Sequence, residues 1–270
     1  MEKKVFLKFI SVLLAVAAAF FVTACAKKPN DTEKEEPVSV RIGSDYYAPY
    51  FYKDENGEFA GIDVELATEA CKRIGRKAEF IEIEWSHKNV MLESGELDCL
   101  WGSFSMTGRE DLYAWAGPYL KSRQVFAVKE DSNIYSFADL EGKIIALQAT
   151  SKADEILSSG KDPRIPVLNH IYCFTDFEHI YAALKNGYVD AIASHEVAIR
   201  ERMKSVNGNY RILEESILDV ELGAAFKKNG GEELAERIET ALKVMRNDGF
   251  IESVVKAYGL NPEKVLTERV

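Results

Sequence analysis

Arg109 has the clearest potential for ligand chemistry in this chain. It follows the loop FSMTG, which comes after a short apolar run that predicts a strand. Its planar guanidinium can donate two parallel hydrogen bonds to one carboxylate, and clefts of α/β folds lie at the carboxyl ends of strands. The position therefore predicts a carboxylate-binding residue. The alternative is a surface arginine in the charged run of residues 109–111.

A second candidate is the loop of residues 148–151, Gln-Ala-Thr-Ser, which lies between a predicted strand and a predicted helix. The free N–H groups and the dipole at a helix start attract a carboxylate. Thr150 and Ser151 also fit an ordinary helix N-cap, and this alternative is compatible with ligand binding.

The composition of the 270-residue chain narrows the possible functions. Its hydrophobic content of 47% suits a folded protein with one large domain or two smaller ones. A formal net charge of -10 argues against nucleic-acid binding, which needs a basic face. No Cys/His spacing indicates a metal site, and no cofactor is expected. Cys71 and Cys99 lie in predicted apolar faces and are interpreted as small buried side chains.

The N-terminal region resembles a secretion signal. Three lysines within the first eight residues precede the apolar run 9–22, which is too short to span a membrane comfortably. The run ends in Val-Thr-Ala-Cys, which resembles a bacterial lipobox with Cys25 as the lipidated residue. We therefore predict a signal peptide over 1–24 and a charged tether over 25–37, with an uncleaved anchor helix as the alternative. In both cases the body of the protein is expected outside the cytoplasm.

Strand-like apolar runs alternate with amphipathic stretches from residue 38 onward, which is typical of an α/β fold. Residues 38–43 predict the first strand. Asn56-Gly57 predicts a tight hairpin, because both residues accept positive φ. Apolar residues at every fourth position between Ile62 and Ile74 then predict a helix.

Two segments of the chain, 91–103 and 183–195, are similar to each other. Each contains a helix-ending glycine and a strand-opening aspartate, which are Gly95 and Asp98 in the first and Gly187 and Asp190 in the second. The similarity favours two lobes of related build. The alternative is that any strand-helix-strand unit shares this order.

Residues 61–74, GIDVELATEACKRI, resemble the signature of the polar amino-acid family of bacterial solute-binding proteins, which is Gly, hydrophobic, acid, aliphatic, acid, aliphatic and then a helix. Residues 47–50 and the segments SGELDCLWGSFSMTGR and WAGPYL resemble further family motifs in the expected order. The resemblance extends over about residues 38–258.

The resemblance implies a periplasmic-binding-protein-like type II fold. In this fold two α/β lobes enclose a central ligand cleft, and two crossover strands act as hinges. The first lobe is expected over 38–126 plus 222–270 and the second over 129–219. The hinges are expected at 126–128 and 220–223.

The same resemblance implies the contacts to an amino-acid-like ligand. Arg109 matches the family's carboxylate clamp, although its spacing from Thr107 is one residue shorter than is common. Aromatic, hydroxyl and acidic ligand contacts are expected at Tyr47, Tyr50 and Trp85, at Ser103, Ser105, Thr150 and Ser151, and at Asp45. For Tyr50, packing in the core is the alternative.

The family's pattern changes at the expected partner of the ligand ammonium. Members that bind α-amino acids commonly place an aspartate five residues after the strand-opening aspartate, whereas Asp190 is followed there by His195. We expect Glu196 to supply the anion beside His195. The alternative is an ordinary acid in the first turn of a helix.

The resemblance implies the solute-binding component of an ABC importer. Together with the lipobox-like N-terminus, this predicts a membrane-anchored lipoprotein outside the cytoplasm, and we expect a monomer that passes a small-molecule ligand to a permease. One alternative is a cleft enzyme similar to cyclohexadienyl dehydratases, with His195 and Glu196 as acid/base groups, and another is a ligand sensor for a membrane partner. No second His or Cys has nucleophile-and-base spacing, which favours a binding protein over an enzyme.

Overall fold

The computed structural model describes residues 38–205 and 209–267, so the predicted signal peptide, Cys25 and the tether lie outside the described residues. The strands are β1 (Ser39–Ser44), β2 (Tyr52–Lys53), β3 (Phe59–Ala60), β4 (Lys77–Glu82), β5 (Cys99–Leu100), β6 (Ala114–Lys129), β7 (Ile144–Gln148), β8 (His170–Phe174), β9 (Ala191–His195) and β10 (Tyr210–Phe226). The helices are α1 (Ile62–Arg73), α2 (Lys88–Ser94), α3 (Lys152–Ser159), α4 (Phe177–Asn186), α5 (Glu196–Ser205), α6 (Glu232–Asn247), α7 (Phe250–Ala257) and α8 (Pro262–Val265). None of these helices is long and apolar enough to cross a membrane.

An eight-stranded sheet has the order β4-β1-β5-β10-β6-β9-β7-β8. β1 pairs in parallel with β4 and β5, and β7 pairs in parallel with β8 and β9. The long strands β6 and β10 are antiparallel to each other and join the two halves. We name the half around β1 the first lobe and the half around β7 the second lobe. The mixed α/β fold with two lobes and two crossover strands is thus as expected.

The two lobes repeat one local structure, as the internal similarity of the sequence predicts. Gly95 and Gly187 end helices α2 and α4 with φ of 78° and 74°, a conformation that glycine adopts without strain. Asp98 then accepts a hydrogen bond from the backbone N–H of Arg41 in β1. Asp190 accepts one from the N–H of the first residue of β7, and both distances are 2.8 Å. Each aspartate thereby fixes a strand against the central strand of its lobe.

Different clusters of buried apolar side chains stabilise the two lobes. In the first lobe, Ile42 belongs to the cluster on one face of the sheet and Leu100 to the cluster on the other. In the second lobe, Leu147 and Ile192 belong to the corresponding two clusters. Burial of one such side chain stabilises the folded state by about 1.5–3 kcal/mol. Each lobe therefore has a core of its own behind its wall of the cleft.

The register between β6 and β10 locates the crossings between the lobes. Val220 pairs with Ser122, so the second expected hinge, 220–223, lies opposite residues near 122. Residues 127–128 of the first expected hinge pair instead with residues 211–212, and they also pair with β9 of the second lobe. The residue boundaries of the lobes remain predictions.

The cysteines of the described residues are free thiols. Cys71 and Cys99 are fully buried, as predicted, and burial raises the pKa of the Cys71 thiol to about 12. Cys173 is exposed. Within residues 38–205 and 209–267, no group of three or more His, Cys, Asp or Glu side chains is arranged to hold a metal ion.

Candidate ligand-binding site

A cavity of about 400 Å³, part of it open to solvent, lies between the lobes, where β1, β5, β7 and β9 end. Residues of its wall that the sequence singled out as ligand contacts are Asp45, Tyr47, Trp85, Ser103, Ser105, Arg109 and Ser151. Other residues of the wall include Phe104, Gln124, Gln148, Lys152, Phe177, Ser194 and His195.

Arg109 lies in this wall and is 7% exposed. Its backbone N–H donates to the carbonyl of Met106 at 2.8 Å, and its carbonyl accepts from the indole of Trp115 at 3.0 Å. The guanidinium carbon lies 5.2 Å from the centroid of the Phe104 ring. The short spacing between Thr107 and Arg109 therefore does not keep the side chain from the cavity.

Asp63 fixes the loop that carries Ser103 and Ser105. Its carboxylate accepts a hydrogen bond from the Ser103 N–H at 2.5 Å and one from the Tyr119 hydroxyl at 2.9 Å. Ser103 has a φ of 51°, so the chain turns sharply there. Burial raises the pKa of Asp63 to about 7. This acid of the signature segment thus positions the loop and does not itself line the cavity.

Tyr47 and Trp85 form the aromatic part of the wall together with their ring neighbours. The Tyr47 and Ser194 hydroxyls share a hydrogen bond of 2.8 Å, which joins the first lobe to the second. Trp85 packs edge-on against Phe104, with 5.0 Å between ring centroids. Tyr50 lies outside the wall, because its side chain is 1% exposed and stacks on Tyr47 at 6.1 Å. Tyr50 therefore packs in the core, which was the alternative to a ligand contact.

The loop between β7 and α3 approaches the cavity from the second lobe. Ser151 caps α3 by accepting a hydrogen bond from the Asp154 N–H at 3.2 Å. Gln148 donates to the carboxylate of Asp45 at 2.5 Å, a second contact between the lobes. Burial raises the pKa of Asp45 to about 7, since the hydrogen bond from Gln148 offsets only part of the desolvation.

His195 lies in the wall at the end of β9 and forms hydrogen bonds through both ring nitrogens. Nδ1 lies 2.9 Å from the Ser122 hydroxyl, and Nε2 lies 2.8 Å from the amide nitrogen of Gln124. Because an amide nitrogen donates, we assign the proton of the ring to Nδ1. Burial, and then the charge of Arg109, lowers the pKa of His195 to about 3. The imidazole is therefore neutral at neutral pH.

Glu196, expected to bind the ligand ammonium, lies outside the cavity wall. It is the first residue of α5, and its carboxylate pairs with Arg123 at 3.1 Å and with Arg200 at 2.7 Å. Its position corresponds to the alternative, which was an ordinary acid in the first turn of a helix. Its negative charge is compensated by the two arginines. Asp45 is the one carboxylate that the described wall presents to a ligand.

Sequence interpretation missed three charged residues at the cleft, Lys88, Lys152 and Glu155. Lys152 lines the cavity. The ammonium of Lys88 donates to the hydroxyl of Thr150 at 2.7 Å, and Thr150 itself lies outside the wall. Glu155 accepts from Arg109 at 3.0 Å and from Lys152 at 2.7 Å. Lys152 and Glu155 could have been predicted, because both belong to the first turn of the helix that follows the candidate loop. No spacing in the sequence indicated that Lys88 lies at the cleft.

Two α/β lobes with a polar cavity between them define the class of extracytoplasmic solute-binding proteins. The chain belongs to the bacterial extracellular solute-binding proteins, family 3, whose model matches residues 40–261. Its role is therefore that of the solute-binding component of an ABC importer and not that of an enzyme.

Named relatives support this assignment. The chain is 30% identical to the histidine-binding periplasmic protein of Salmonella typhimurium, over 82% of this chain and 88% of the relative. It is 29% identical to the L-cystine-binding protein TcyA of Bacillus subtilis, over 78% of this chain and 77% of the relative. A solved structure, an ancestral arginine-binding protein bound to arginine, is similar with a TM-score of 0.74 and 28% identity, over 82% of this chain and 97% of that one. These relatives are binding proteins, and none supports the dehydratase alternative.

Proposed function

We propose that the chain is a lipid-anchored binding protein that encloses an amino acid or a related small carboxylate between its lobes for delivery to an ABC permease. The buried guanidinium of Arg109 in the cavity wall carries this proposal. A planar donor removed from water binds a carboxylate strongly and in a fixed orientation. The names of the relatives, which include histidine, cystine and arginine, support an amino-acid-like ligand.

In the proposed complex the ligand carboxylate lies on Arg109, near the hydroxyls of Ser105 and Ser151. The remainder of the ligand packs against Tyr47 and Trp85, whose rings offer apolar surface. Both lobes then contribute to the same ligand. Binding therefore stabilises the closed arrangement over an open one, which is a population shift.

Contacts between lobes are already part of the closed arrangement. They include the hydrogen bonds Tyr47–Ser194, Gln148–Asp45, Lys88–Thr150, Arg109–Glu155 and Ser105–His195. The neutral Tyr47–Ser194 bond contributes about 0.5–1.5 kcal/mol, and the half-exposed Arg109–Glu155 ion pair contributes about 0.2–1 kcal/mol. Such contacts are weak enough to open and strong enough to define one closed geometry.

A thermal-shift screen of the full-length chain, purified in detergent, tests the ligand class. At least one amino acid or small carboxylate is expected to raise the melting temperature, because a ligand at 100 times its Kd stabilises the folded state by about 2.7 kcal/mol. Arg109→Ala is expected to remove that shift. The absence of any shift with amino acids and small carboxylates would refute the proposed function.

The lipid anchor is tested separately. We propose that Cys25 carries the lipid after removal of 1–24 and that the protein acts as a monomer at the membrane surface. Replacing Cys25 with alanine is expected to abolish incorporation of labelled palmitate and to release the protein from the membrane fraction. Labelling that persists in Cys25→Ala would contradict the anchor.

A further inference from the structure

Three buried cationic side chains converge on the cleft. Lys88, Arg109 and Lys152 are 4%, 7% and 6% exposed. Arg109 and Lys152 lie in the cavity wall. Lys88 lies beside it, with its ammonium 4.9 Å from the centroid of the Trp85 ring. A buried charge is unfavourable unless an opposite charge compensates it. This excess of positive charge therefore favours a negatively charged ligand in the cleft.

Lys88 forms no ion pair with any residue in the described part of the chain. Its ammonium donates to the Thr150 hydroxyl at 2.7 Å and lies 3.4 Å from the carbonyls of Thr150 and Trp85, all of which are neutral groups. Burial, and then the charge of Arg109, lowers the pKa of Lys88 to about 8. The ammonium is thus mostly protonated at neutral pH, and the charges of Asp45 and Asp154 compensate its desolvation only in part. An anion in the cleft would compensate it.

Arg109 and Lys152 share one acid between them. Glu155 accepts from both, but its side chain is 48% exposed, so that water screens its charge. Among the described residues, Glu155 is the acid that pairs with both buried cations, and the exposed Glu110 adds a second screened charge near Lys152. Both cations can still interact with an anionic ligand.

The wall offers little compensation for a ligand ammonium. Asp45 accepts from Gln148, and a pKa of about 7 leaves it partly protonated at neutral pH. His195 stands where the family resemblance leads one to expect an aspartate. It is neutral, and both its ring nitrogens are engaged by Ser122 and Gln124.

We propose that the cleft selects a small acid with two carboxylates and a net negative charge over neutral and basic amino acids. Arg109 binds one carboxylate, and Lys152, together with the nearby charge of Lys88, compensates the other. L-Aspartate and L-glutamate have this chemistry, as do succinate and glutarate, which lack the amino group. This inference rests on the proposed function and specifies its ligand class.

Isothermal titration calorimetry on the full-length chain in detergent at pH 7.5 tests the proposal with ligands of matched shape. L-Glutamate is compared with L-glutamine, and L-aspartate with L-asparagine. At least one diacid is expected to bind at least about tenfold more tightly than its amide, because the amide removes a charge-assisted hydrogen bond. Succinate and glutarate show whether the amino group contributes, and tight binding of either one also supports the proposal.

Two lysine variants assign the selectivity to the cleft. Lys152→Gln and Lys88→Gln are each expected to weaken binding of the preferred diacid at least about tenfold and to change binding of its amide by less than about threefold. Lys161→Gln removes an exposed lysine outside the wall and serves as the matched control, with no expected change. Thermal unfolding confirms that each variant is folded. The ligand comparison on the unchanged protein decides the proposal even if a variant does not fold.

The outcomes separate this inference from the proposed function. Tighter binding of L-glutamine, L-asparagine, L-arginine or L-histidine than of every diacid would overturn the inference and leave the proposed function in place. L-Cystine, which has two carboxylates and two ammonium groups, would overturn it in the same way if it bound most tightly. No binding of any amino acid or dicarboxylate would refute the proposed function itself.

Discussion

The carboxylate of Glu155 in the second lobe holds the guanidinium of Arg109 in the first, with one oxygen 3.0 Å from both Nε and Nη2. Its other oxygen accepts from the ammonium of Lys152 at 2.7 Å. An acid of the protein therefore binds the two cations that we assign to the ligand. Glu155 both joins the lobes and competes with the ligand carboxylate.

Replacing Glu155 with glutamine is expected to tighten binding of the preferred diacid by up to about fivefold, since a half-exposed ion pair is worth about 0.2–1 kcal/mol. Calorimetric Kd values measure the effect. Glu141→Gln, an exposed acid outside the wall, is the control and is expected to leave Kd unchanged. Weaker binding by Glu155→Gln would show that the contact between lobes outweighs the competition.

Arg109→Lys retains the charge and loses the planar pair of donors. We expect Kd for the preferred ligand to rise about 10- to 100-fold, which corresponds to the loss of a charge-assisted hydrogen bond. The free energy of unfolding without ligand, from urea titration, is expected to change by less than about 1 kcal/mol, because a cation still faces Glu155. An unchanged Kd would place the ligand carboxylate elsewhere.

His195→Asp introduces an anion at a buried wall position where a neutral imidazole stands. We expect L-glutamine to bind at least about tenfold more tightly to this variant than to the unchanged protein, because its ammonium gains a charged partner. Glutarate, which lacks an ammonium, is expected to bind more weakly. His195→Asn controls for the loss of the ring, and calorimetry at pH 7.5 is the measurement. If the aspartate and asparagine variants behave alike, charge at this position does not set the preference.

The buried carboxyl group of Asp63 makes the free energy of unfolding depend on pH. Burial raises its pKa from 3.8 to about 7, so the folded protein retains a proton that the unfolded chain releases. This contribution to stability is complete below about pH 4 and is lost as pH rises through about 7. The free energy of unfolding of the unchanged protein relative to Asp63→Asn is therefore expected to fall by roughly 2–3 kcal/mol between pH 5 and pH 8.

Urea unfolding of both proteins at both pH values measures this difference. Asp45 and His195, whose pKa values are also shifted, are present in both proteins, and their effects cancel in the comparison. A difference between the two proteins that does not vary with pH would contradict the assignment of the buried proton to Asp63.

Local sequence determined most of the secondary structure of this protein. The hairpin at Asn56-Gly57 connects β2 and β3, α1 begins at Ile62, and Gly95 and Gly187 end their helices. These features depend on the φ of one residue or on apolar spacing over a few turns, both of which a sequence displays. Strand β8 was not predicted, because it is largely exposed and has no alternation of buried and exposed positions.

Sequence alone also placed Arg109 directly after the loop that follows a predicted strand, where a cleft was expected. Only the tertiary structure decided which charges face Arg109. Glu155, which binds Arg109, lies 46 residues away from it in the sequence. Lys88 and its hydrogen-bond partner Thr150 are 62 residues apart, and Glu196 and its partner Arg123 are 73 residues apart. The physical reason is that the direction of a side chain at the cleft depends on how the two lobes pack, and local pattern carries no record of that packing.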